Sequence, residues 1–156
     1  MSTVPYLPPF WSDLPAVTDT DGTVLSPAMP SPPPVNRADV MPTVAQVAQL
    51  ERTRCVDANG MDQGTFTAIT HPSDTEVLAL IDQAAAEVLG QLPLDIDTFW
   101  NPTITRLIAL RTAVMIEISY YREQTGPGSP AGLWETQLQT ELAAMQAAIP
   151  VATYIA

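Results

Sequence analysis

No lysine occurs anywhere in this 156-residue chain, so its basic character rests on six arginines set against seventeen aspartates and glutamates. A nucleic-acid-binding surface neutralises phosphates with basic side chains, and its affinity follows how many it neutralises. At a formal net charge of −11, a primary DNA- or RNA-binding role is not expected. A Gly-rich phosphate loop ending in Lys is excluded outright. The single cysteine, Cys55, rules out an intramolecular disulfide and a cysteine metal cluster, and it fits an intracellular setting. Histidine is equally scarce: His71 stands alone, before Pro72 in a turn.

These shortages bear on catalysis, which needs a nucleophile or metal with positioned acid–base partners. Cys55 and His71 form the only arguable pair, and Asp57, two residues on, is expected to raise the thiol pKa rather than lower it. Cys55 therefore reads as a structural cysteine at a helix end, and the chain as no enzyme, with no catalytic, cofactor-binding or metal-binding residues. The turn that opens Asp57-Ala58-Asn59-Gly60-Met61-Asp62 resembles the start of a calcium loop only superficially. Such a loop wants Gly at its sixth position and a bidentate Glu at its twelfth. Here Gly60 stands fourth and Ala68 twelfth, so an ordinary turn is the better account.

Long hydrophobic runs are missing as well. The longest apolar stretch, from Ile104 to Tyr121, is interrupted by Arg106, Arg111, Thr112 and Glu117, which excludes a membrane span. The opening MSTVPYLPPF has no basic segment followed by an apolar one, so no signal peptide is expected and the protein reads as soluble.

Proline, by contrast, is abundant, and ten of the 16 prolines fall within the first 42 residues. Proline fixes φ and lacks an N–H, so residues 1–41 are expected to form an extended or polyproline-like arm. Yet Val4, Tyr6, Leu7, Phe10, Trp11 and Leu14 crowd into this arm, and a plain linker would leave them in water. Tyr6, Phe10 and Trp11 are candidate interaction residues of an arm that orders against a partner surface, the alternative being that it folds back on its own domain.

From Pro42 the pattern becomes helical. Thr43 caps a first helix expected over Val44 to Arg54, with Arg52 and Arg54 in its last turn. Asn59-Gly60 and Gly64 mark turns, with a short extended or hairpin segment near Thr65-Phe66-Thr67. Ser73 and Glu76 form a capping box ahead of the stripe Val77, Leu80, Ile81, Ala84, Ala85 and Val88, and Gly90 is expected to close that helix beyond its last turn. A third helix opens with Asn101 as N-cap and Pro102, and runs to about Glu123. It is apolar almost all round, the mark of a central helix that in so small a domain wants cover from a neighbour. Ser129-Pro130 leads a fourth, about Ala131 to Ala148, with Leu133, Trp134, Leu138, Leu142, Met145 and Ile149 near one face. The reading is an all-α fold: a small bundle of about four helices over residues 42–150. Behind it comes an apolar tail, residues 151–156 (VATYIA), whose Tyr154 and Ile155 are further docking candidates.

Glu117 is the odd residue of the third helix, set between Ile116 and Ile118. A buried carboxylate must be paired. Arg106 and Arg111 lie on the same helix at the wrong spacing to pair with it. Arg52 or Arg54 of the first helix, or an arginine of a neighbouring subunit, is the natural partner in a register-setting salt bridge. The alternative is that Glu117 points to solvent.

Three phrases, PTVAQVAQLERTR, GTFTAITHPSDTEVLALIDQAAAEV and ITRLIALRTAVMIEISYYREQ, resemble the head–tail adaptor (connector, or head-completion) proteins of long-tailed actinobacteriophages over about residues 42–149. The resemblance implies an all-helical virion subunit that assembles with itself into a ring of about twelve copies under the portal. Its implied partners are the portal protein, the next neck or tail protein and the capsid, with DNA only passing through the channel and no membrane involved. It carries over no catalytic residue and no cofactor. An acidic body suits a lumen that DNA must pass without sticking. A tail-completion protein of the virion or a small helical regulatory module are the alternatives.

Overall fold

The computed structural model describes residues 35–93, 95–124 and 126–149, together with the backbone of four residues nearer the N-terminus. The chain divides into two units, Met1–Ser31 and Pro32–Ala156. In the first, β1 (Val17–Thr18) pairs antiparallel with β2 (Val24–Leu25), Val17 opposite Leu25. Tyr6, Phe10, Trp11, Tyr154 and Ile155 lie outside the described residues.

The second unit is the helical one. Its first turn, α1 (Arg37–Val40), falls where the proline pattern predicts the end of an extended arm. The proline run ends at Pro34, the Asn36 side chain accepts from the Ala38 N–H, and Val40 is fully buried. Arg37 also reaches the Asp82 carboxylate and carbonyl, so this stretch is tied into the bundle.

α2 (Val44–Leu50) opens with a capping box between Thr43 and Gln46. It is shorter than predicted. Glu51 leaves helical geometry, and Arg52–Arg54 form a separate 3-10 turn. The segment that follows is a loop with two isolated antiparallel bridges, Val56 with Asp62 and Asp57 with Thr70. Asp57 Oδ1 accepts from the Asn59 and Met61 N–H groups at 2.8 and 2.9 Å, and Gly60 takes the left-handed φ of +77° that this turn demands.

α3 (Asp74–Leu89) begins at the predicted capping box, Ser73 with Glu76, worth about 1 kcal/mol by its type. The Ser73 N–H, held by Glu76, keeps that carboxyl below the usual range. The helix ends differently from expectation. Gly90 has φ −65°, a right-handed value, so it completes the last turn by donating to the Ala86 carbonyl rather than reversing the chain.

α4 (Asn101–Tyr120) also starts in another way. A 3-10 turn, Thr98–Trp100, runs directly into it, so Asn101 is already helical and cannot fold back as the cap. Asp97 takes that role one turn earlier by accepting from the Phe99 N–H at 2.7 Å, and Asn101 Oδ1 is left buried without a partner. Tyr121 (φ −129°, ψ 38°) ends α4 before the predicted Glu123, which falls in a further 3-10 turn, Arg122–Gln124.

α5 (Pro130–Ala148) follows the predicted Ser129 cap. Its inward stripe is Ala131, Leu138, Leu142 and Met145, whereas Leu133, expected on that face, is exposed.

α4 is the axis of the domain. It packs against α3 and α5, and α1 and α2 meet it as well. Arg106 pairs with Glu141 and Arg111 with Glu135, so rising positions on α4 meet falling positions on α5 and the two run antiparallel. Arg111 also holds Glu87 of α3 at 2.7 Å, one guanidinium joining three helices. That contact keeps the Glu87 carboxyl below its ordinary value. Ile104, Leu107, Ile108, Leu110 and Ile116 are fully buried, each contributing about 1.5–3 kcal/mol by transfer from water. The all-round apolar character of α4 is thus satisfied almost entirely inside one chain. Only Ile118, 44% exposed, keeps a substantial apolar surface in the open. Among the described residues, no helix is long and apolar enough to cross a membrane.

Candidate functional site

Where α2 ends, α4 ends and α5 begins, the core becomes polar. Arg54 stands in the 3-10 turn after α2 and grips Glu117 of α4 with two hydrogen bonds, Nε to Oε1 at 2.7 Å and an Nη to Oε2 at 2.9 Å. Glu117 is 1% exposed, so its predicted solvent-facing alternative does not hold. Of the two arginines expected as partners, Arg54 takes the role, and Arg52 instead reaches Asp62 at the surface. The guanidinium also donates to Gln124 at 2.7 Å and lies 3.7 Å over the Tyr121 ring, an arrangement that covers its planar face while its edge is hydrogen-bonded. The Glu117 hydrogen bonds hold the Arg54 pKa above its ordinary value, against desolvation.

Glu51, which the sequence analysis does not single out, also belongs to the cluster. Glu51 is 2% exposed beside Glu117, so two carboxyl groups are buried near one guanidinium, which is hydrogen-bonded to Glu117. Burial pushes Glu51 up to about 8. The neighbouring Glu117 adds to this by repelling a second negative charge and by hydrogen bonding to the protonated form. Glu51 Oε1 and the Trp134 Nε1 of α5 are both buried without a hydrogen bond of good geometry. The indole still lies near enough for its N–H dipole to favour the Glu51 carboxylate slightly, as the Arg54 charge does. A signal for Glu51 was present: it follows Val47 by four and Ala48 by three, on the buried stripe of α2.

Cys55 extends that stripe by one more turn. Its thiol is fully buried and points to the Glu51 carbonyl at 3.5 Å. Burial raises it to about 11, with Arg52 working in the opposite direction, so desolvation and not the nearby Asp57 dominates. His71 is occupied elsewhere: its ring packs edge-on to Tyr120 at 5.0 Å, and its carbonyl accepts from the Tyr121 hydroxyl at 2.6 Å. The Cys55–His71 arrangement that a thiol nucleophile needs is not assembled. Native protein is therefore expected to react with a thiol-specific disulfide reagent at pH 8 at least a hundredfold more slowly than denatured protein, as about 2–3 units of raised thiol pKa imply. Rapid native labelling would show that the thiol is open.

A second feature faces outward. Between α4 and the start of α5 lies an open, mainly apolar groove of about 470 Å³, lined by Val114, Ile118, Gly126, Ser129, Ala131 and Gly132 with the Arg111–Glu135 ion pair at its edge. Backbone approach shapes it: a Cβ on Gly132 would stand 2.6 Å from the Gly126 carbonyl oxygen, so only glycine lets the preceding loop lie this close to α5. Further large apolar side chains are exposed at Met61, Ile69, Leu78, Phe99 and Leu133. No family model, curated protein or solved structure matches this chain.

Proposed function

We propose that this chain is a structural subunit of a phage virion neck: copies close into a ring beneath the portal, join the DNA-filled head to the tail and line the channel through which DNA passes. The observation that carries the reading is apolar surface on separate elements of one small helical domain. Ile118 and the α4–α5 groove lie in one place, and Met61 and Ile69 project from the α2–α3 loop. A ring needs two different surfaces on each subunit, because its contacts are head-to-tail. Lone apolar side chains on a monomer are common, whereas a groove and projecting side chains together suit an interface.

The chemistry of the described core favours a part over an enzyme. The polar cluster around Arg54 is enclosed by its own neighbours, and the thiol is buried. The surplus of acids, summed over repeated copies, supports a channel wall that repels the DNA backbone. The arm and the apolar tail supply candidate contacts to the portal protein, the next neck or tail protein or the capsid, with many weak contacts adding through multivalency.

Negative-stain imaging of the purified protein, alone and with the portal protein, tests the reading. Rings in either preparation support it. A monomer in both, even at high concentration, sinks it. Salt-sensitive retention on DNA by a monomeric protein would turn the assignment towards a regulatory module.

A further inference from the structure

α5 has a different apolar feature at each end. At its start, Ala131 and Gly132 line the open groove together with Val114 and Ile118 of α4. At its other end, Ile149 packs against the core and donates its N–H to the Met145 carbonyl at 3.0 Å. It takes extended backbone angles, φ −73° and ψ 120°, so the point where the chain leaves the helix is fixed. Beyond it come Pro150 and VATYIA, a segment outside the described residues whose sequence holds no charged side chain.

We propose that the groove receives residues 151–156 of a second copy of this chain, so that the end of one subunit seats between α4 and α5 of the next. Reach excludes the segment's own groove. Helical rise puts Ala148 about 24 Å from Gly132. Fully extended and folded straight back along α5, the chain could carry Val151 at most about 11 Å from Ala148, and Tyr154 about 22 Å. The segment therefore cannot lie in the groove of the chain that bears it, whereas a neighbouring copy can supply it.

Charge favours the same occupant. Each copy has a net charge of −11, and two copies repel wherever their acids meet. At the groove this repulsion is small, because Arg111 and Glu135 on its edge are paired with each other and the other described lining residues are uncharged. Exposed Met61 is a rival apolar side chain, but it follows a turn built on Asp57 and precedes Asp62. Its approach would bring negative charge towards Glu135, and VATYIA brings none. Groove and segment stand at opposite ends of α5, so the contact is head-to-tail and leaves each copy one surface free for the next. The identity of the partner, a second copy, rests on the ring reading.

Sedimentation of the full-length protein tests the contact. Tyr154→Asp with Ile155→Asp breaks the segment, and Ile118→Arg breaks the groove. Each variant is expected to keep the wild-type circular dichroism and to associate at least tenfold more weakly. Mixed together, the two should form dimers and nothing larger, because one working groove meets one working segment. Wild-type assembly by Y154D/I155D overturns the proposal and leaves the ring reading to another contact. A mixture that stays monomeric overturns it too. If the wild-type protein is itself monomeric at every concentration, the ring reading falls, and a synthetic peptide of residues 150–156 decides the contact. Shifts of the Ile118, Ala131 and Gly132 amide resonances on titration support it, and no shift at millimolar peptide overturns it.

Discussion

Arg54→Ala is expected to destabilise the domain by about 3–5 kcal/mol, the range for breaking a buried ion pair from one side. The size follows from what remains behind. Glu117 keeps 1% exposure and Glu51 2%, and Arg54 is the guanidinium that holds Glu117 with two hydrogen bonds. Gln124 also loses its donor and the Tyr121 ring its cation. Urea unfolding monitored by circular dichroism measures the loss. Acid should reduce it, because a protonated carboxyl is cheaper to bury than a carboxylate. The double variant Arg54→Met with Glu117→Met should recover much of the stability, since apolar groups of similar volume replace a buried pair at little net cost. A double variant as unstable as Arg54→Ala would show that Arg54 acts through packing over Tyr121 and not through its charge.

The same cluster marks how far the sequence could be read. Glu117 was conspicuous because it interrupts an apolar helix, and the short list of arginines made Arg54 one of two intrachain partners. Glu51 was as legible in principle, lying on the stripe of Val47 and Ala48. It went unseen because the sequence Glu51-Arg52-Thr53-Arg54 looks like the polar end of a solvated helix. Glu51 stays on the inward stripe of α2, while the 3-10 turn that follows sends Arg52 out to Asp62. The capping box at Ser73 and Glu76 fixed the start of α3 because both bonds are local. The start of α4 departs from the sequence pattern for the opposite reason: Asn-Pro is a sound capping pattern, but the preceding 3-10 turn already sets the helical geometry. Exposure of Leu133 was not legible either. Leu133 and Trp134 are adjacent, and which of them turns inward depends on how α5 is rotated against α4, a tertiary matter.

Two isoleucines of α4, Ile108 and Ile118, lie at opposite extremes of burial, and their truncation should give opposite results. Ile108→Ala removes a fully buried side chain from the middle of α4, the helix that α1, α2, α3 and α5 all contact. For so deeply buried an isoleucine the loss should fall at about 2–5 kcal/mol, the transfer term plus a cavity term. The transition midpoint should drop by several degrees for each kcal/mol. Ile118→Ala, on the same helix but 44% exposed, should cost the isolated domain under about 1 kcal/mol. Its effect belongs at the groove, which loses an apolar wall. If copies of this chain meet there, I118A should fold normally and yet assemble at least tenfold more weakly by sedimentation, while I108A should lose folding first and assembly only as a consequence. Equal assembly of I118A and wild type would move the contact between copies to another face.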